Sequence, residues 1–415
     1  MSMTADVVIV GAGIAGVSAA YHLKVRHGIG EVVIVDPRPP LTLTSDKSTE
    51  CYRNWWPNKP MVDLMNRSID LLDEIAAETD FGLNRRGYLF ATAESGTLSD
   101  LVEQTNMIGR LGAEADILDD LALAREYPFL TPDAVGGIRL RRAGWFSAQG
   151  LGQWMLDRAR DAGTRLVRAE VTAIGDGVAL SDGSTIATPA VVIAAGPMSG
   201  GLAAMAGIEL PLFSELHLKV VFKDHLGVVP RGAPMTIWSD PQLIGWTESE
   251  RAELTSMGRG ELTGEMPIFC HFRPEGGPDS PYVVALWEYH DQVVEPVWPL
   301  PEDPLYPEVV MRGLATMVPG LGAYRDRMPE SFVDGGYYTK TVENRPLIGP
   351  TMVPGVYLVA GLSGFGVMVS AGAADLLAHH IVGDQLPGYA EAFLLERYDS
   401  PGYLAEIESA ATGQL

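Results

Sequence analysis

Short apolar runs separated by glycine-rich turns organise this chain. Asp6-Val-Val-Ile-Val is apolar after its acid, and such a run predicts a strand buried on both faces. Gly11-Ala-Gly13-Ile-Ala-Gly16 follows, then an apolar helix-like stretch, then Glu31-Val-Val-Ile-Val-Asp36. The pattern reads as strand, glycine turn, helix, strand and terminal acid. Ala190-Val-Val-Ile-Ala-Ala-Gly196 has the texture of the first strand and is expected beside it in one parallel sheet. The same texture returns at Gly355-Val-Tyr-Leu-Val-Ala-Gly361. Met61, Leu64, Met65, Ile69, Leu72 and Ile75 repeat at helical spacing and predict a helix over 61–79. Further helices are expected over 97–111, 119–127 and 150–162, with strands at 87–92 and from 163. An Asp-Gly turn at 182–183 predicts a hairpin over 178–186. The stretch 37–60, rich in Thr, Ser, Pro and Trp, reads as a loop.

From 210 to 329 the period changes. His217-Leu-Lys219-Val-Val-Phe222 and Tyr282-Val-Val-Ala-Leu-Trp-Glu-Tyr289 alternate as antiparallel strands do. The expected fold is α/β: a Rossmann-like domain with a parallel sheet, plus a second, mainly antiparallel domain of α+β type. The first is discontinuous, over 1–80, 145–205 and 330–385. The second takes 81–144 and 206–329, and 386–415 is left as a loosely packed helix or tail.

The opening unit has the spacing of a dinucleotide site, with twenty positions from Gly16 to Asp36. Gly11 permits the tight turn, Gly13 lets backbone approach a pyrophosphate, and Gly16 lets helix pack on strand. The helix start offers N–H groups and partial positive charge to phosphates. Asp36 suits the hydroxyls of a ribose and repels a 2′-phosphate.

Composition narrows the picture. The chain has 415 residues, 47% hydrophobic, enough for a real core in two or three domains. Its formal net charge of −23 argues against nucleic acid and anionic membranes as partners. Cys51 and Cys270 are the two cysteines; they could pair, but their spacing does not demand it, and no metal-ligand motif is present. The N-terminal residues have no apolar signal core, so a cytoplasmic location is expected. Residues 356–378 are apolar apart from Asp375. Their glycines and serines favour a buried strand, a loop and a helix over a membrane span.

Four stretches together resemble the D-amino-acid-oxidase-like flavoproteins, which include glycine oxidase, sarcosine oxidase and dimethylglycine dehydrogenase. They are the opening unit through Asp36, where the family usually has Glu; 190–199; Tyr338-Thr-Lys-Thr-Val-Glu-Asn-Arg-Pro-Leu-Ile-Gly349-Pro; and Val356-Tyr-Leu-Val-Ala-Gly361-Leu-Ser-Gly364-Phe-Gly366-Val-Met-Val-Ser370. The resemblance implies FAD. It extends the cofactor set from Gly11, Gly13, Gly16 and Asp36 to Ile14, Ala15, Pro37, Arg38, Ser45, Val171, Ala195, Gly196 and Gly336. It adds Gly361, Ser363, Gly364, Phe365, Gly366, Val367 and Met368 from the second glycine loop, whose helix start can stabilise negative charge on a reduced ring. Four places depart from the family. Gly336 stands where sarcosine oxidase has its flavin-linking Cys, and residues 41–48 lack the His that the dehydrogenases use, so non-covalent FAD is expected. Met368 and about Leu286 stand where sarcosine oxidase has lysines for substrate and oxygen.

Candidate catalytic residues are few. Arg53 can bind a substrate carboxylate through its two-pronged guanidinium, or pair with Glu50. His217 and Lys219 share one face of a strand, and Lys219 can replace the missing oxygen-activating lysine. His271 and Arg273 alternate in the same way. Trp287, Tyr289 and Tyr338 are candidates for an aromatic wall around an amine, and Trp55 and Trp56 for an entrance. The implied reaction is oxidation of the C–N bond of a secondary or tertiary amine or amino acid to an imine, by hydride transfer to flavin N5, with oxygen or another acceptor downstream. Alternatives are a 2-hydroxy-acid or glycerol-phosphate-type dehydrogenase with His217 or His271 as base, and a non-catalytic FAD-binding assembly subunit. No metal is expected, and the oligomeric state is not legible.

Overall fold

The computed structural model describes residues 2–290 and 292–407. A six-stranded sheet runs in the order Leu347–Pro350, Val356–Ala360, Val191–Ile193, Val7–Val10, Val32–Val35, Arg165–Val167. Its last five strands are parallel, with Val191 paired to both Val8 and Val356. The expected neighbours are therefore in place. Only Leu347–Pro350 is antiparallel, at the edge. The valines and isoleucines of these strands, apart from Val167 on the edge strand, are buried almost completely, because helices cover one face and the small sheet of Ser2–Thr4, Val171–Gly175, Gly177–Leu180 and Thr185–Ala187 packs near the other.

Three helices pack together on the sheet: Ile14–Tyr21, Lys59–Ala76 and Gly366–Val382. Gly372 lets two of them meet closely, since a Cβ there would lie 2.8 Å from the carbonyl oxygen of Leu64. The apolar stretch that resembled a membrane span is a strand, Val356–Ala360, a short turn and the third of these helices. Ser363–Val382 is long and apolar enough to cross a membrane, yet most of it is buried inside the protein.

The second sheet has eight strands: Ser331–Lys340, Phe213–Lys223, Tyr282–Leu286, Cys270–Glu275, Met235–Trp238, Tyr88–Thr92, Gly136–Leu140 and Ala115–Asp119. All its pairings are antiparallel except Met235–Trp238 with Tyr88–Thr92. The helix Tyr306–Met317 closes its own core around Trp287 and Tyr306.

Several expectations need correction. Residues 331–340 belong to the eight-stranded sheet by pairing, so the first domain does not resume at 330. The stretch 37–60 is not all loop: Thr44–Lys47 is a short helix, and Cys51–Arg53 pairs with Ala143–Trp145. Strands at 115–119 and 136–140 were not among those expected; half-buried Asp116, exposed Ile117 and Asp119 and paired glycines blur their alternation. The segment after 386 is not loosely packed up to 407. Phe393 is fully buried, and the Arg397 guanidinium meets the buried Glu343 carboxylate at 2.7 Å. The remainder of that stretch, 408–415, lies outside the described residues. Cys51 and Cys270 are both free and buried, not paired.

Candidate active site

The parallel strands end in one place, and their turns enclose a cavity of about 600 Å3. Gly11 follows the strand Val7–Val10, Asp36 follows Val32–Val35, Gly196 follows Val191–Ile193 and Gly361 follows Val356–Ala360; all four line the cavity. This is the carboxyl edge of a parallel sheet, where such folds hold ligands. The first glycine loop is built from steric necessity. Gly11 has φ +112°, and a Cβ there would lie 2.4 Å from the Ala194 carbonyl oxygen. A Cβ on Gly16 would lie 1.9 Å from the Gly11 carbonyl oxygen. The helix can therefore start directly under the cavity floor.

Asp36 is partly exposed at the cavity edge. One carboxylate oxygen accepts the Ala12 N–H at 2.8 Å and the other the Arg38 N–H at 2.8 Å. The acid is thus oriented by backbone, with lone pairs left toward the cavity. Ser45 is turned inward by the short helix Thr44–Lys47, and its hydroxyl accepts the Ile14 N–H at 2.9 Å. Gly13, Ile14, Ala15, Pro37, Arg38, Ser45, Val171, Ala195, Ser363, Gly364, Gly366 and Val367 all line the same cavity. Gly16 does not line it; its part is the close packing beneath. Phe365 and Met368 do not line it either, because they face a second space.

That second space is a chamber of about 50 Å3 that shares Thr49, Tyr338 and Gly364 with the cavity. Arg53, Trp56, Tyr88, His271, Glu288, Asn344, Phe365 and Met368 are among its walls. Arg53 is buried, donates to the Trp55 carbonyl at 2.6 Å and lies over the Trp56 ring at 4.4 Å. Burial lowers its pKa to about 10, which leaves it a cation at neutral pH. Its expected alternative partner, Glu50, is engaged instead by Arg273 at 3.6 Å and by the Ala148 N–H. Arg273 also donates twice to the Thr49 carbonyl and pairs with Glu275 at 2.7 Å, so its role is to brace the partition.

His217 and Lys219 both face the large cavity, as their alternation requires. The Lys219 Nζ donates to the Ser48 carbonyl at 2.9 Å, and burial lowers its pKa. His217 stacks on Tyr338 with ring centroids 3.8 Å apart. Glu215 lies 3.2 Å from one ring nitrogen and Glu288 3.3 Å from the other. Burial opposes its charge, but Glu288 and Glu215 outweigh burial and raise its pKa to about 9. At neutral pH His217 is therefore an imidazolium, which removes it as a general base. His271 is the opposite case. Burial lowers its pKa, and its Nδ1 donates to the Phe269 carbonyl at 2.7 Å. Its other nitrogen is then an acceptor.

The structure does not bring the whole aromatic wall together. Trp287 donates to the Pro267 carbonyl and Tyr289 to Asp303, both within the second core, and only Tyr338 reaches the chamber. Trp55 packs on Phe90 and Trp56 on Phe365, both rings buried, so neither stands at an entrance. Glu288 was missed as a site residue. The signal was available: it lies two positions beyond Leu286, another cavity-lining residue, in the alternating run 282–289 that the strand Tyr282–Leu286 opens. Tyr88 and Asn344 carry no such local signal.

The family of FAD dependent oxidoreductases abbreviated DAO matches residues 6–380. Sarcosine oxidase subunit beta of Arthrobacter sp is 22% identical over 433 residues, covering 98% of this chain and 94% of that protein. FAD-dependent oxidoreductase domain-containing protein 1 of Xenopus laevis is 24% identical, covering 91% of this chain and 79% of that protein. Among solved structures, L-proline dehydrogenase from P. horikoshii superposes with a TM-score of 0.79 at 20% identity, covering 96% of this chain and 99% of that one. Glycine oxidase from Geobacillus kaustophilus gives 0.77 at 19% identity, covering 95% and 99%.

Proposed function

Because the chain belongs to this family of FAD-dependent oxidoreductases, we propose that it oxidises the C–N bond of a small secondary or tertiary amine or amino acid to an imine. One observation carries the reading: a small chamber with a buried cation, Arg53, adjoins the long glycine-lined cavity and shares Thr49, Tyr338 and Gly364 with it. The residues fit FAD, since the glycine turns leave bare backbone at the cavity wall and Asp36 stands at the second strand's end. FAD, when bound, accepts the hydride and passes the electrons to oxygen or another acceptor.

The chain's own residues supply the rest. Arg53 takes a substrate carboxylate bidentately. Burial and nearby cations hold the amine in its neutral, reactive form. The acceptor nitrogen of His271 can receive the ammonium proton. Trp56, Tyr88 and Phe365 exclude water while the substrate is positioned. Non-covalent attachment is part of the proposal. Gly336 borders the cavity without a thiol, no cysteine lines that cavity, and burial keeps the Cys51 thiol protonated. Denaturant should therefore release all flavin into the filtrate; retention on the chain would overturn it. We also place the enzyme in the cytoplasm, as the two unpaired buried thiols suit a reducing compartment.

A second reading, oxidation of a 2-hydroxy acid, draws on the neutral His271, which could take a hydroxyl proton. Anaerobic mixing of the flavin-loaded protein with N-methyl and cyclic amino acids and with hydroxy acids separates the two. Rapid bleaching by an amine is the expected result. Bleaching only by a hydroxy acid sinks the amine reading, and no bleaching by any member points to an assembly subunit.

A further inference from the structure

A second cluster of chemistry lies at the opposite ends of the two helices that approach the cavity. None of its residues lines the cavity or the chamber. After Ile14–Tyr21 the chain makes a wide helical turn, His22–Arg26, and reaches His27. The helix Gly366–Val382 ends at Gly383, whose φ of 75° turns the chain and brings Asp384 back. The Nδ1 of His27 lies 3.6 Å from Oδ2 of Asp384, and the Nδ1 of His379 lies 3.7 Å from the same oxygen. Both separations are too long for hydrogen bonds. The Nδ1 of His379 is a buried atom with no hydrogen-bond partner among the described residues. The two imidazoles meet edge to face at 5.4 Å.

These separations are close to those of ligands sharing one metal ion. Bonds of about 2.0–2.1 Å at tetrahedral angles place ligand atoms about 3.4 Å apart. The other nitrogen of His379, Nε2, faces Oδ2 of Asp375 at 3.9 Å, and Arg67 holds that carboxylate through contacts of 2.8 and 3.0 Å. A carboxylate behind an imidazole is what orients a ligating histidine. The mutual 4.8 Å closeness of ligand-capable atoms holds for His27, Asp375 and His379, and Asp384 joins this cluster through its separations from the two imidazoles.

We propose that His27, His379 and Asp384 bind a divalent cation of the zinc class, with Asp375 as a positioning residue behind His379. Two imidazoles and one carboxylate suit zinc, cobalt or nickel. They are too rich in nitrogen for calcium or magnesium, which take oxygen ligands. A fourth position is open to water. The ion ties the turn after the first helix to the end of the third. Both helices present their opposite ends to the cavity, so the ion fixes the frame on which the two glycine loops sit.

The test uses the flavin-loaded protein, stripped with chelator and titrated with Zn2+ by calorimetry and with Co2+ by visible absorption. One site per chain and a tetrahedral-type cobalt spectrum are expected. Asp384→Asn and His379→Ala should each bind Zn2+ at least tenfold more weakly. His380→Ala should bind as the parent does, because its ring faces Gly349 and not the cluster. Asp384 is exposed, so its variant keeps the fold and isolates the ligand. Failure of the parent to bind Zn2+, or unchanged binding in both ligand variants, overturns the proposal. In that case His27 and His379 make only ion pairs with Asp384.

Discussion

His217 carries a charge that two carboxylates impose on it. Its ordinary pKa of 6.5 is raised to about 9 in the folded protein by Glu288 and Glu215, with Lys340 held at 2.6 Å from Glu215 on the far side. A raised folded pKa gives stability that is fully present below pH 6.5 and is lost as pH rises through 9. Denaturation midpoints of the parent should therefore fall between those limits, while His217→Asn should show a flatter profile there. Equal slopes in both proteins would refute the charged state. Arg53 makes a different prediction. A hydrogen bond to a charged group contributes about 1.5–3 kcal/mol, so Arg53→Ala should raise KM for a carboxylate substrate by about tenfold to a hundredfold. Steady-state kinetics on a flavin-replete variant measures this, and a substrate lacking the carboxylate should feel little of it. The shared face of His217 and Lys219 was legible from alternation alone. The charge of His217 was not, because Glu288 reaches it from the segment just after the strand Tyr282–Leu286, distant in the sequence.

The glycine loops set how closely elements can approach. Gly16 sits where the first helix crosses the end of the first strand, and its Cα hydrogens meet the carbonyl of its own loop. Gly16→Ala forces a Cβ against that backbone oxygen, and overpacking of this kind costs about 1–3 kcal/mol. The variant should purify colourless or nearly so, with a lowered melting temperature. Stoichiometric flavin at parental stability would contradict the close packing described here. The opening strand–turn–helix–strand unit was readable in sequence because each residue type answers a local need. The helix at 59–76 was also readable, since its apolar stripe is strict. The strand Cys51–Arg53 was hidden by its polar flanks and by a partner, Ala143–Trp145, far along the chain.

At the scale of the molecule, the segment after 386 turns from an expected tail into part of the fold. Arg397 and Glu343 are almost wholly buried, and Tyr398 and Tyr403 add hydrogen bonds to the same carboxylate. Removing one partner of a buried pair leaves an uncompensated charge and costs about 3–5 kcal/mol. Arg397→Ala should lower the denaturation midpoint accordingly, and a neutral effect would show the cluster to be solvated. Sequence did not show this lock because Glu343 lies more than fifty positions before Arg397, Tyr398 and Tyr403, with no periodicity to mark them.

The helix Gly366–Val382 has a consequence for how the chain must be made. In isolation it offers a lipid bilayer nearly everything such an environment accepts. During synthesis it leaves the ribosome only after Ile14–Tyr21 and Lys59–Ala76, the helices it packs on, have already emerged. Nascent partners can thus capture the greasy segment before membranes or other chains do. A circular permutant that translates this segment first would reverse the order and should partition into membranes or aggregates.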